Sequence, residues 1–361
     1  MELRRPLSRR AFLRVCAFGA GSLAIPALAG CSGEETADSG STSAPGTRVV
    51  PAPTPSQVPT AASRVALIRT TDRTDGIRRA IDLVSPEGLR GSRVYFKPNF
   101  NAAFPTPCVT HPDTLRAVAV GLLERGASHV TVAERSGVGA DTRKIAELAD
   151  TTRLAQELGL DVLYLNEMDE QGWTKFHPPE GHWKDGISVA RLLLDSDAVV
   201  QTCNLKTHAF AGFTLSIKNA VGLLPFELPG SGYNYMTEMH TSPSLGTMIA
   251  EINSVYSPAL VVVDGVQAFV DGGPNEGTEV EAGVIMAGTD RVALDAVGVA
   301  ILRHLGTTPE VSEGPIFAQE QIKRAVELGL GASSPSEIEI VTEDAESEAH
   351  AATIRTILDQ G

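Results

Sequence analysis

From about residue 64 to residue 341, short apolar runs rich in β-branched residues alternate with stretches whose apolar positions recur every three or four residues. The first pattern predicts strands at 65–68, 94–96, 130–133, 162–165, 198–202, 260–263, 284–287 and 338–341. The second predicts helices at 75–84, 112–125, 142–157, 245–256, 291–305 and 317–328. Strands covered on both faces read as near-continuous apolar runs rather than alternating ones, so this is the rhythm of an α/β fold: a largely parallel sheet with helices on both faces. Two segments without strong period, 166–184 and 225–244, break the rhythm. They hold His177, His182, His240, both tryptophans, Tyr233 and Tyr235. Unpatterned segments of this length in a compact domain are usually lids or binding loops.

The first 62 residues read differently. Arg4, Arg5, Arg9, Arg10 and Arg14 form a charged start, and Ser8-Arg9-Arg10-Ala11-Phe12-Leu13 fits the twin-arginine export signal. The apolar stretch 15–28 that follows falls short of the roughly 20 residues a membrane-spanning helix needs. It reads as the apolar core of a signal peptide. It ends in Leu28-Ala29-Gly30-Cys31, the small-residue box before a lipidated cysteine. Residues 32–62 are mostly Ser, Thr, Gly, Pro and Ala, a composition that cannot bury enough surface to offset the entropy of ordering. The expected organisation is therefore a twin-arginine lipoprotein signal peptide at 1–30, a flexible disordered linker at 31–62 and a single α/β domain at 63–361. The expected address is the cell envelope, in the periplasm or on the outer side of the cytoplasmic membrane. Anchoring would run through lipid on Cys31, with the twin-arginine translocase and lipoprotein-processing enzymes as transient partners.

Charge narrows the partners. The chain carries 30 basic and 44 acidic residues, and removing residues 1–30 leaves a balance of −18. A nucleic acid would be repelled.

In sheets of this class ligands bind at the carboxyl ends of the strands. There the sequence places Lys97-Pro98-Asn99, Glu134-Arg135-Ser136, the run Cys203-Asn204-Leu205-Lys206-Thr207-His208, and Asp264. Ten residues after Lys206 comes Ser216-Ile217-Lys218-Asn219, in Gly- and Ala-rich company. A lysine removed from water either pairs with an anion or drops its pKa and becomes a base or nucleophile. Lys206, His208 and Lys218 are accordingly the candidate catalytic residues. Lys97, Asn99, Asn204, Asn219, Asp264 and Gly273 are the candidate substrate-binding residues.

Several features leave alternatives open. His208, His240 and Asp264, with Glu134 and Asp271 nearby in type, would suffice for a divalent metal, although no HxH or HxxxH spacing supports one. The run 271–277 is a tight turn or an anion-binding row of backbone amides. Cys108 and Cys203 are buried thiols, a disulfide formed after export, or a reactive pair.

Taken together, Lys97-Pro98-Asn99, Asn204-Leu205-Lys206-Thr207-His208, Ser216-Ile217-Lys218-Asn219 with Gly222, Asp264-Gly265, Gly273-Pro274 with Gly277, and Thr289-Asp290 with Ala293 and Asp295 resemble the domain of unknown function 362 family. The resemblance covers about residues 64–305 and implies an α/β domain with a shared polar site. Some members of that family carry an added ferredoxin-like cluster module. This chain lacks those cysteines, so no iron–sulfur cluster of its own is expected. A more distant similarity, at the level of strand-end Lys and His residues, is to the nickel-dependent lactate racemase superfamily. The function expected from these readings is an enzyme acting on a small anionic molecule. The alternatives are a lipid-anchored protein that binds an anionic solute or metal without turnover, and a surface scaffold.

Overall fold

The computed structural model describes residues 62–361 apart from Val138 and Pro179. The signal peptide with Arg9 and Arg10, the lipidation site Cys31 and all but the last residue of the 31–62 linker lie outside the described residues.

The strands are β1 (Ser63–Arg69), β2 (Arg93–Lys97), β3 (His129–Glu134), β4 (Asp161–Tyr164), β5 (Trp173–Phe176), β6 (Ile187–Ala190), β7 (Ala198–His208), β8 (Gly212–Thr214), β9 (Glu227–Leu228), β10 (Tyr233–Asn234), β11 (Leu260–Gly272), β12 (Gly277–Gly288) and β13 (Ile338–Val341). The helices are α1 (Arg73–Val84), α2 (Pro112–Glu124), α3 (Thr142–Leu148), α4 (Thr151–Leu158), α5 (Arg191–Asp195), α6 (Ser216–Asn219), α7 (Tyr235–Thr241), α8 (Leu245–Ile252), α9 (Arg291–Leu305), α10 (Pro309–Ser312), α11 (Glu320–Glu327) and α12 (Ala345–Gln360).

One sheet organises the fold, with order β13-β1-β12-β11-β7-β2-β3-β4 and β8 paired to the end of β7. Along that path every neighbouring pair is parallel except the two made by β12, which runs against β1 and β11. The expected α/β class with a mostly parallel sheet is therefore what the chain adopts. Helices cover both faces. Ala66, Ile68, Phe96, Val132, Val200, Val262 and Ile285 pack under α1, α2, α3 and α4. Val65 and Leu67 point the other way, are equally buried, and lie under α9 and α12.

Local chemistry explains the boundaries. Asp72 accepts a hydrogen bond from Asp75 N and starts α1, and Asp290 accepts from Val292 N and Ala293 N to start α9. The helix expected at 142–157 is two helices, because Asp150 adopts a left-handed backbone at φ 55° and Thr151 Oγ1 donates to Ala146 O at 2.7 Å. The C-terminal helix α12 escaped the pattern reading. Its buried positions have helical spacing, but two of the four are Ser347 and Ala351.

The largest difference concerns β7, which runs to His208 instead of stopping near 202. Polar residues at 204, 206, 207 and 208 broke the apolar run, yet all are buried in partnered positions. β11 and β12 are also longer than their apolar stretches and form an antiparallel hairpin closed by residues 273–276. Opposite the polar half of β7 the register slips, so that Asn204 lies beside Asp264 but Lys206 lies beside Phe269. The two unpatterned segments hold β5, β9, β10 and α7, and they pack on one another. Trp183 and Tyr235 have ring centroids 5.9 Å apart, and Lys184 N donates to Glu238 Oε1 at 2.7 Å.

Gly273 closes this hairpin. Its N–H donates to Glu276 O at 2.8 Å and its carbonyl accepts Ala209 N at 3.3 Å, so the residue expected to bind substrate holds the hairpin to the end of β7. At φ 69° a Cβ there would overlap the Thr207 carbonyl. Gly273→Ala is expected to destabilise the protein by roughly 1–3 kcal/mol, measured as a lower urea midpoint at unchanged slope.

Candidate functional site

Where β2, β3 and β7 end, four cations lie within one another's electrostatic reach. The end of β2 carries Lys97, whose ammonium donates to Glu134 Oε2 at 2.6 Å, to Asn219 Oδ1 at 3.1 Å and to Pro98 O at 3.1 Å. Burial pulls this lysine's pKa down, and the Glu134 carboxylate opposes the shift. Arg135 N donates to the other oxygen of Glu134 at 2.8 Å. Gly222 is required beside the pair: a Cβ there would overlap the Glu134 carboxylate and come within 2.8 Å of Lys97 Nζ.

Lys206 is wholly buried and has no carboxylate partner. Its ammonium donates to Asn99 Oδ1, Pro107 O and Cys108 O, each at 2.9 Å. Asn204, one step back on the same strand face, donates through Nδ2 to Pro107 O at 2.7 Å and Val109 O at 2.9 Å. These two side chains bind the 99–110 loop to β7, and Thr110 closes its base by donating to Asn99 O. Desolvation brings the Lys206 pKa down to about 8. All three of its N–H groups are engaged, so the residue expected to be catalytic clamps the loop in this structure.

Lys218 has no such partners. It projects from α6, the residue as a whole is half-buried, and its ammonium makes no hydrogen bond or ion pair among the described residues. Burial, and then the charges of Lys206, Arg135 and Lys97, bring its pKa down to about 7. The short helix that carries it is fixed from three sides. Asp295 accepts from Ser216 N at 2.8 Å, Ser216 Oγ at 2.5 Å and Ile217 N at 3.0 Å. Asn253 Nδ2 donates to Ile217 O at 2.9 Å, and Asn219 Nδ2 donates to Thr202 O at 3.1 Å.

Asp295 and Arg135 complete this arrangement; the sequence marked the first as a motif residue and the second as a strand-end residue, but assigned neither a role in the site. Asp295 stands out as an acid amid the apolar run Val292-Ala293-Leu294 and Ala296-Val297. Burial raises its pKa to about 7 despite the Ser216 hydrogen bonds. Arg135 is buried and gives its guanidinium to Leu224 O, Ser136 O and Val221 O at 2.5–2.8 Å. No spacing in the sequence signals those carbonyl partners.

His208 Nδ1 accepts from Phe210 N at 3.1 Å and Ala211 N at 3.3 Å, which leaves the ring hydrogen on Nε2. Burial first, then the charges of Lys218, His240 and Lys206, hold its pKa well below the usual imidazole value. It is a neutral donor at pH 7. The metal triad proposed from sequence is not assembled. Asp264 accepts Arg73 Nε at 2.8 Å, Thr114 Oγ1 at 2.6 Å and Val266 N at 3.1 Å, so its oxygens are engaged by α1, α2 and its own strand. His208 Nδ1 faces backbone N–H groups, and His240 Nδ1 donates to Met236 O at 2.7 Å. Among the described residues no group of three His, Cys, Asp or Glu side chains is placed to hold a metal ion. A dication would also meet the charges of Lys218 and Arg135, so this donor set does not fit one. Cys108 and Cys203 are free buried thiols, so of the three readings the disulfide is corrected.

Residues 94–300, from β2 into α9, contain every residue of this cluster and match the family described as Domain of unknown function (DUF362). The chain belongs to that family. A relative, the Thylakoid-associated protein sll1697 of Synechocystis sp. (strain ATCC 27184 / PCC 6803 / Kazusa), is 27% identical over 254 residues, covering 69% of this chain and 74% of the relative. Two solved structures are also similar. The lactate racemase apoprotein from Thermoanaerobacterium thermosaccharolyticum aligns at 12% identity and a TM-score of 0.41, over 65% of this chain and 55% of that one. The L-idonate 5-dehydrogenase from Escherichia coli str. K-12 substr. MG1655 aligns at 16% identity and a TM-score of 0.20, over 37% and 33%. The chain thus spans about half of the first structure and a third of the second, and likeness at that level does not bear on chemistry.

Two outcomes follow for this DUF362 domain. Lys97→Ala leaves Glu134 buried without its counter-ion and should cost roughly 3–5 kcal/mol in urea unfolding, whereas removing both partners should cost less than the sum of the single changes. For Lys218, the folded pKa of about 7 lies below that of the unfolded chain, near 10.4. The unfolded state therefore binds the extra proton between those values, and this group adds stability as pH rises through the window. Lys218→Met should be more stable than wild type at pH 6–7, with the advantage shrinking to nothing toward pH 10, in thermal or urea melts across that range.

Proposed function

We propose that this protein is an exported, lipid-anchored enzyme acting on a small anionic molecule, with Lys218 as the proton-transferring group and His208 as the adjoining hydrogen-bond donor. One observation carries the reading: in a cluster where Lys97, Lys206 and Arg135 are each held by hydrogen-bond partners, Lys218 has none among the described residues, and its pKa is about 7. An amine with that pKa is partly neutral in the cell envelope and can accept a proton from a bound molecule, then return it. The surplus positive charge around it favours an anion. Lys206, Asn204, Asn99, Lys97 and Asn219 shape the site and hold its loop.

The address rests on the sequence signals at Arg9, Arg10 and Cys31, and on a relative whose name places it with thylakoids. No helix among the described residues is long and apolar enough to cross a membrane, so attachment would run through the N-terminal lipid. Twin-arginine translocase and lipoprotein-processing enzymes are the partners this address requires.

The cation surplus also supports a second reading, a lipid-anchored capture protein for an anionic solute without turnover. Native mass spectrometry and elemental analysis of the full chain, purified with whatever it carries, separate the two. The enzyme reading expects that a recovered small molecule is converted, and that Lys218→Ala lowers kcat/KM by roughly 10²–10⁴-fold. Lys218→Arg should not restore the rate, because a guanidinium does not deprotonate. Recovery of an unaltered molecule whose affinity, and nothing else, depends on Lys218 would sink the enzyme and leave the capture protein.

A further inference from the structure

A helix of one turn has no stability of its own, so the direction in which α6 carries Lys218 is set by whatever holds its backbone. Two residues of α9, four apart on one face of that helix, reach this backbone from the same side. Asp295 is wholly buried, and among the described residues every hydrogen bond its carboxylate accepts comes from the start of α6: Ser216 N and Ser216 Oγ on Oδ1, Ile217 N on Oδ2. The guanidinium of Arg291 is turned elsewhere. Its Nη1 donates to Asn253 O and Oδ1, each at 2.9 Å, and its Nη2 to Tyr256 O at 2.7 Å. Holding Oδ1 fixes which way the Asn253 amide faces, and its Nδ2 then reaches Ile217 O at 2.9 Å. The main-chain oxygen of Arg291 also lies 3.1 Å from Ser216 Oγ. Lys218 is the next residue along from this doubly anchored pair.

We infer that Asp295 is the positioning residue of this site: its carboxylate grips the first two residues of α6 and so fixes Lys218, with Arg291 supporting the same turn through Asn253. This deepens the function proposed above and rests on it for the importance of Lys218, not for the turnover. A carboxylate taken out of water must keep its donors, and Asp295 keeps them only while Ser216 and Ile217 stay in place. Without that restraint, a lysine on a four-carbon stem would turn its strongly hydrated ammonium toward water. The charge of Asp295 acts in the other direction. An anion nearby favours the charged lysine, so taking the charge away lowers the lysine's pKa, whereas freeing the turn raises it toward the ordinary lysine value. Positioning and simple charge pairing therefore predict opposite signs. The charged and titratable groups facing Asp295 are Arg291, Tyr256 and Cys203, and those facing Lys218 are Lys206, Arg135, Lys97 and His208.

The test is trace acylation of the full chain with acetic anhydride across the pH range, with the label on Lys218 read by peptide mass spectrometry. The midpoint of that profile reports the pKa of Lys218, near 7 in wild type. Asp295→Asn keeps the size of the side chain but sets an amide NH₂ against the N–H groups of α6, so the turn loses at least one anchor. Leu122→Ala, in the core under the opposite face of the sheet, is the control for lost stability alone. A midpoint raised by about one unit or more in Asp295→Asn, and unmoved in Leu122→Ala, supports the inference. A midpoint that stays put in Asp295→Asn, falls there, or rises as much in Leu122→Ala overturns it. Should Asp295→Asn not fold, Ser216→Ala removes one of the three bonds and leaves the other two, and the same outcomes decide. A raised midpoint in a chain whose turnover is independent of Lys218 would remove the enzyme reading and leave this inference standing. An unmoved midpoint in a chain whose turnover needs Lys218 would do the reverse.

Discussion

An ammonium group that enters a protein interior without a carboxylate must be surrounded by neutral oxygens, and Lys206 meets that requirement by taking three from the far side of the strand ends. Much else depends on that demand. Two of the oxygens are main-chain carbonyls of the 99–110 loop, so satisfying the charge also fixes the loop. Asn204 adds two more bonds to the same stretch, and β7 can continue as a buried strand through residues that read as a strand end. The clamp holds Asn99 beside Lys206 through its side-chain oxygen.

Around that clamp the cations divide by partner. Lys97 is held by a carboxylate, Arg135 by carbonyls, Lys206 by carbonyls and an amide. Lys218 feels the charges of all three and has no hydrogen-bond or ion-pair partner among the described residues. Its carrier α6 is the most restrained short element nearby, fixed by Asp295, Asn253 and Asn219. A mobile lysine would find water or a surface carboxylate. One held on a rigid turn among like charges keeps a depressed pKa, and so remains chemically available near neutral pH.

The exterior and the site carry opposite signs. The chain as a whole is strongly acidic, while the strand ends concentrate positive charge under a cover made by the packed segments around Trp183 and Tyr235. Long-range fields of that kind keep polyanions away, whereas an anion among the strand-end cations would meet them in a low-dielectric setting where each is felt strongly. Met236 and His240 come from the same cover. Met236 Sδ lies 3.5 Å from the Arg135 guanidinium, and the charge of His240 acts on His208, so the cover and the site share residues.

The sequence by itself determined the α/β class, because buried parallel strands must be apolar almost throughout, and that shows as runs such as Val130-Thr131-Val132-Ala133 and Leu260-Val261-Val262-Val263. It also determined which polar residues gather at the strand ends, since Lys97, Asn204, Lys206 and His208 all sit where such a run stops or nearly stops. Tertiary structure alone decided what each one does. Lys206 and Lys218 are the same residue type in similar company, and only the position of the 99–110 loop saturates the first and leaves the second unengaged. Asp264 fits a lysine or metal partner until Arg73 and Thr114, 191 and 150 residues away in sequence, take its oxygens. Charge partners chosen across such separations leave no periodicity to read, because they depend on how helices and loops close over the sheet and not on spacing along the chain.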